Sequence, residues 1–136
     1  MPEAISSIDA FHNSFYHFVE ALEILAKDAG AQCEAMGDYN VAWELYHDIG
    51  AGEYLASSPQ GQLSAQEASA ILTLMPLLKD VPASELPGGA GREQNLPAMQ
   101  HPSWRPLRTQ AASVLTFLGP AIARNKRFFE PQGSVR

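Results

Sequence analysis

The feature that most constrains the fold is an apolar stripe in residues 8–36. Apolar side chains recur there in steps of three and four residues: Ile8, Phe11, Phe15, Phe18, Leu22, Leu25, Ala29, Cys33 and Met36. Because an α-helix has about 3.6 residues per turn, this spacing places all of them on one helical face. Such a face has to be buried against other elements. The pattern therefore predicts one long helix around which the rest of the chain packs.

Three further helices are predicted at residues 41–49, 65–79 and 104–129, each with apolar residues on the same rhythm. Asp38 or Asn40 is a candidate N-cap of the second helix, because short polar side chains accept hydrogen bonds from the first free N–H groups. The four segments together indicate a helical chain. We find no alternating apolar and polar run that would predict a strand.

Capping residues and prolines mark where these helices begin and bend. The run Ser64-Ala65-Gln66-Glu67 is a capping box and starts the third helix. Pro76 lacks a backbone donor, so it should kink that helix or end it early. The Gly119-Pro120 pair should bend the fourth helix into two segments.

Residues 81–102 contain four prolines and three glycines and show neither a helical nor a strand period. We interpret them as a long irregular loop, and residues 131–136 as a flexible tail. The predicted fold is all-α, a four-helix antiparallel bundle with a kinked C-terminal helix and this loop between the third and fourth helices. A chain of 136 residues that is 46% apolar is long enough to bury one core, so residues 1–136 should form a single domain.

Charge is distributed unevenly along the chain. Residues 1–85 contain thirteen Asp and Glu against two lysines, a net charge of −11, whereas residues 86–136 contain seven Arg and Lys against two Glu, a net charge of +5. The acidic part would repel phosphates and attract basic surfaces. We therefore expect a basic protein partner and no nucleic acid. A second copy of the chain is a further candidate partner, since its basic part complements the acidic part.

The expected location is the cytoplasm. Cys33 is the only cysteine and has no partner for an internal disulfide, which fits a reducing compartment. The first residues lack a basic region followed by an apolar run, so no signal peptide is expected. The longest apolar run, residues 70–78, is too short to cross a bilayer, so no membrane association is expected.

Two pairs with acid-x-x-His spacing raise the question of a metal site. They are Asp9 with His12 and Glu44 with His47. Di-metal helical bundles take one such pair from each of two helices and a further Glu from each of two others, and the fourth predicted helix has no acid between Trp104 and Phe129. We therefore expect no metal, although a metal-binding bundle remains an alternative.

The candidate partner-binding residues lie on the second predicted helix: Trp43, Glu44, His47 and Asp48. At about 100° per residue they fall outside the apolar stripe of that helix. Trp43 has two alternative environments, packed under the 81–102 loop or exposed. An exposed tryptophan is a common anchor of protein interfaces, and neighbouring acids would steer a basic partner.

A second group of residues begins the fourth helix: His101, Trp104, Arg105 and Arg108. One interpretation is a helix start with Trp104 in the core and the two arginines paired with acids of the first helix. The alternative is a pocket under the 81–102 loop that holds a small anion at the helix N-terminus. Cys33 lies on an apolar stripe and resembles a buried hydrophobe rather than a nucleophile. No catalytic residue and no cofactor is predicted.

These patterns favour a non-enzymatic protein-interaction domain. An inhibitor of the immunity or antitoxin type, or an adaptor, would bind a basic partner through an acidic helical face in this way. The alternatives are a small helical enzyme or ligand-binding protein with a pocket under the 81–102 loop, and the metal-binding bundle.

Overall fold

The computed structural model describes residues 7–58, 61–86 and 89–130; the predicted tail, 131–136, lies outside them. Within these ranges the chain forms nine α-helices and one short 3-10 helix at Ala83–Glu85. The α-helices are α1 (Ser7–Leu25), α2 (Ala29–Ala35), α3 (Val41–Gly50), α4 (Gly52–Ala56), α5 (Ala65–Leu72), α6 (Leu74–Lys79), α7 (Arg92–Met99), α8 (Trp104–Phe117) and α9 (Gly119–Phe129). The described residues contain no strand, only an isolated antiparallel bridge between Tyr39 and Ala90. The predicted all-α class is confirmed.

The first predicted helix is divided, so its continuous course over 8–36 is wrong. α1 ends at Leu25 and α2 begins at Ala29. Asp28 causes the break, because its backbone is extended and its side chain accepts a hydrogen bond from the Ala31 N–H at 2.9 Å. The apolar stripe continues across the break, and Cys33 in α2 is fully buried.

The third predicted helix also divides, as expected from Pro76. Its capping box is present: the Glu67 N–H donates to Ser64 Oγ at 3.0 Å, and the Ser64 N–H donates to Glu67 Oε1 at 2.9 Å. The helix stops at Leu72 and resumes as α6 after Thr73. The ring of Pro76 clashes with the carbonyl four residues earlier, which explains why the break precedes the proline.

The prediction of an irregular loop over 81–102 is wrong for residues 92–99, which form α7 despite Pro97. No apolar stripe in the sequence predicts this helix, because all residues of its first turn are polar. Tertiary contacts stabilise it instead: Ala98 and Met99 are buried, and Asn95 is 1% exposed. Residue burial therefore outweighs the weak local preference of this segment.

α1 lies at the centre of the packing and contacts α2, α3, α4, α8 and α9. α1, α3, α6 and α8 contact one another in a closed ring, around a core that includes Phe15, Phe18 and Trp104. The bend predicted at Gly119-Pro120 is confirmed, since α8 ends at Phe117 and α9 starts at Gly119. No helix of the described residues is both long and apolar enough to span a membrane.

α9 is fixed to α1 by a pair of buried polar side chains. Asn125 donates through Nδ2 to the carbonyl of His12 at 3.1 Å, so its Oδ1 must be the acceptor for His12 Nδ1 at 2.5 Å. The His12 ring stacks on Phe128 with a centroid separation of 3.8 Å. His12 therefore has a structural role between the first and last helices.

Replacing Gly52 with alanine is expected to destabilise the protein by about 1–3 kcal/mol, because the added Cβ overpacks the core. That Cβ would lie 2.6 Å from Phe18 Cε1 and 2.9 Å from Ile71 Cγ2. Urea denaturation followed by circular dichroism measures the loss. Gly119→Ala is the matched control, since its Cβ meets none of the described tertiary neighbours within 4 Å. Equal stability of the two variants would contradict the packing at Gly52.

Candidate functional site

α3 owes its position to a buried asparagine from a distant part of the chain. Asn95 Oδ1 accepts a hydrogen bond from the Val41 N–H at 2.9 Å and so caps the first turn of α3. Asn95 Nδ2 lies 2.9 Å from the carbonyl oxygen of Asp38, 3.0 Å from that of Gly89 and 2.9 Å from that of Gly91. One amide side chain thus joins the start of α3 to the segment that precedes α7.

Neither predicted N-cap of α3 bonds the helix through its side chain. Asn40 occupies the cap position with a left-handed backbone (φ 49°), and its Oδ1 accepts from the Gly89 N–H at 2.7 Å. Asp38, also left-handed (φ 54°), forms an ion pair with Arg92. The polar residues before α3 therefore hold the 89–92 segment, and Asn95 takes over the cap.

α3 has a buried face and an outer face. Its buried residues are Val41, Ala42, Leu45 and Ile49. The residues we define as the α3 outer face, all exposed, are Trp43, Glu44, His47 and Asp48. The Trp43 side chain is 47% exposed, and its ring lies 4.1 Å from that of His47 between centroids. Of its two predicted environments, the structure shows exposure.

A groove with a volume of about 380 Å³ runs beside this face, between α1 and α3. Apolar and polar side chains line what we call the α1–α3 groove: Ser14, His17, Phe18, Glu20, Ala21, Ile24, Met36, Leu45, Asp48 and Ala51. Asp48 belongs both to this groove and to the α3 outer face. The two features therefore form one continuous surface.

The ionisable groups of this surface interact with one another. Partial burial beside the groove, and then the neighbouring Glu44 carboxylate, raise the pKa of Asp48, while His17 and His47 act in the opposite direction. His17 Nδ1 lies 3.4 Å from Glu20 Oε1. The charge on Asp48 is therefore disfavoured where it stands, and a nearby cation would relieve it.

The four residues of the predicted ligand pocket lie in different environments. Trp104 is fully buried in the core, and Arg105 is exposed. His101 Nδ1 accepts from the Ser103 N–H at 3.2 Å, at the start of α8. Arg108 donates to the carbonyl of Met99, and burial lowers its pKa. These contacts are typical of a helix start against a core, as in the first of the two interpretations of this segment. The pairing of Arg105 and Arg108 with acids of the first helix is not found among the described residues, since Arg108 donates to a backbone carbonyl instead.

The candidate metal ligands also lie in different environments. Glu44 and His47 are exposed on α3, whereas His12 is buried against Asn125. Among the residues that the structure describes, no group of three or more His, Cys, Asp or Glu side chains could hold a metal ion. Cys33 is fully buried, and burial raises the pKa of its thiol.

Sequence reasoning missed Asn95 and the α1 side of the groove. His17 and Glu20 carry a local signal, because residues three apart are neighbours on a helix surface. Nothing local to Asn95 indicates its bond to the Val41 N–H, which lies 54 positions away along the chain. Comparison of the chain with protein-family models, curated proteins and solved structures gives no match.

Proposed function

We propose that this chain is a non-enzymatic protein-interaction domain that binds a basic partner through the α3 outer face. The observation that carries the proposal is Trp43, an indole exposed on a helix whose opposite face is fully buried. Tryptophan supplies a large apolar contact at little cost in conformational entropy, and it is enriched among residues that dominate binding energy. Its ring contact with His47 restricts its motion before any partner arrives.

Charge supports a basic partner. Glu44 and Asp48 share the outer face with Trp43, within a part of the chain whose net charge is −11. Carboxylates at the edge of an interface raise the rate of association with a positively charged protein, and salt screens this effect. A cytoplasmic inhibitor of the immunity or antitoxin type, which would cover a basic enzyme, is the form of this function that we favour.

The proposal includes the architecture that presents the face. We propose that the closed ring of α1, α3, α6 and α8 is an antiparallel four-helix bundle, with α7 and the segment before it bracing the start of α3. A rigid bundle would present the α3 outer face with little rearrangement on binding.

Affinity capture from the native cell with the wild-type chain and with Trp43→Ala as baits tests the function. Because truncation of an interface anchor costs about 2 kcal/mol or more, the variant should bind its main partner at least about thirtyfold more weakly. The thermal midpoint of the variant should stay close to that of the wild type, since the ring is half exposed.

Phe117→Ala is the matched control, because Phe117 is a comparably exposed aromatic residue (51%) on α8 rather than α3. This control should retain the partner. Capture that is unchanged by Trp43→Ala, or lost equally with Phe117→Ala, would contradict an interface centred on Trp43. Titration of the captured complex with salt then tests steering, because the rate of association should fall as ionic strength rises.

A further inference from the structure

We infer that the α1–α3 groove receives an arginine side chain of the partner, with the guanidinium at Asp48 and the aliphatic stem along the groove floor. This inference rests on the proposed function, since it names the chemistry that the partner brings to the same surface. It goes further by assigning a second recognition element beside Trp43.

The lining of the groove matches the two parts of a long basic side chain. Phe18, Ala21, Ile24, Met36 and Leu45 form an apolar floor, while Glu20 and Asp48 add carboxylates. Long basic side chains bury their methylene stems on apolar surface and keep the charged head near water or a counter-ion. A groove of about 380 Å³ has room for such a side chain.

The groove also lacks a cation of its own. None of its lining residues is a lysine or an arginine. The Asp48 carboxylate makes no hydrogen bond or ion pair with any of the residues that the structure describes. Its electrostatic neighbours are the like charge of Glu44 and, in the opposite direction, the imidazoles of His17 and His47. His17 is the one imidazole in the lining, and it faces Glu20 at 3.4 Å. With two carboxylates and neither lysine nor arginine in its lining, the groove has a cation as its complementary occupant.

Arginine suits this site better than lysine for two physical reasons. The guanidinium group is more weakly hydrated than an ammonium group, so it loses less on partial burial against the groove wall. Its planar fork can donate two hydrogen bonds to one carboxylate, which an ammonium group cannot do with the same geometry.

The probe that tests the assignment is n-butylguanidinium, which carries the stem and head of arginine; neutral n-butylurea is its isostere. Titration of the ¹⁵N-labelled full chain should shift the amide resonances of groove residues with the cation and leave them in place with the urea. Asp48→Asn should weaken the response by roughly twofold to fivefold, the range expected for one exposed charge pair. Glu93→Gln, an exposed acid on α7, should leave the response unchanged.

Equal shifts with both probes, shifts centred outside the groove, or an unchanged response in Asp48→Asn would overturn the inference. The Asp48→Asn chain should stay folded, with a thermal midpoint equal to or above that of the wild type. The pKa of Asp48 is raised in the fold, so at neutral pH its charge costs stability, and the amide removes that cost.

Failure of this inference is distinguishable from failure of the proposed function. If Trp43→Ala abolishes capture of the partner but butylguanidinium does not bind, binding through the α3 outer face is supported and the assignment of an arginine to the α1–α3 groove is wrong. With the identified partner in hand, its interface arginines can be replaced by glutamine. The inference requires that one of these replacements makes binding insensitive to Asp48→Asn, as a double-mutant cycle would show.

Discussion

Replacing Trp104 with alanine is expected to lower the free energy of unfolding by about 3–5 kcal/mol, the cost of removing a large aromatic side chain from a core. Trp104 is fully enclosed at the first residue of α8, in contact with the central packing of the domain. Trp43→Ala should change the stability by less than about 0.5–1 kcal/mol, because that ring is half exposed. Urea denaturation of both variants measures this difference.

Trp104→Phe is the matched control for the core role. The indole Nε1 of Trp104 has no hydrogen-bond acceptor among the described residues, so phenylalanine removes a buried donor as well as some apolar area. The loss of stability should therefore be well below that of Trp104→Ala. An alanine variant as stable as the wild type would contradict the core position and revive the ligand pocket predicted around His101 and Arg108.

Asn95→Ala is expected to cost about 2–3 kcal/mol, because it leaves the buried Val41 N–H without its hydrogen-bond acceptor. The carbonyls of Asp38 and Gly89 lose the Asn95 side chain as one donor but each keeps a backbone N–H donor. Urea denaturation measures this loss of unfolding free energy, and the thermal midpoint should fall with it.

Asn13→Ala separates this effect from a general cost of losing an asparagine. Asn13 is exposed on α1 and makes one hydrogen bond, from Nδ2 to the carbonyl of Asp9 at 3.1 Å. Its replacement should change the stability by less than about 0.5 kcal/mol. If the two variants lose the same amount, the network around Asn95 does not hold α3 in place.

The faces of the helices were predictable because they depend on periodicity within one segment. Phe11, Phe15, Phe18, Leu22 and Leu25 are buried as the stripe of α1 requires, whereas Ile8, the first residue of the predicted stripe, is 45% exposed. The capping box at Ser64 and the division of the last helix at Gly119 were predictable for a similar reason, since each depends on a few consecutive residues.

The breaks and the added helix were harder to predict. Asp28 interrupts the first helix by accepting one hydrogen bond. The apolar spacing nevertheless continues on both sides of the break, as it would in an unbroken helix. Residues 92–99 become helical through contacts with a part of the chain more than fifty residues away. Local propensity carries no information about such contacts.

The candidate site likewise has a part that the sequence predicts locally and a part that depends on tertiary packing. Helical periodicity placed Trp43, Glu44, His47 and Asp48 outside the apolar stripe, and the structure finds all four exposed. Periodicity could not decide whether another element covers Trp43, because that depends on where the 81–102 segment packs. The groove arises from two helices meeting, so neither helix alone predicts its shape.

The hydrogen bonds of Asn95 couple the position of the start of α3 to that of the 89–95 segment. A partner that tilted α3 would have to stretch the bond from the Val41 N–H to a side chain 54 residues further along the chain. Rotation of the α3 outer face would therefore carry the cost of opening this buried hydrogen bond. By the same coupling, a partner that fits α3 as it stands would slow the opening of the segment that precedes α7.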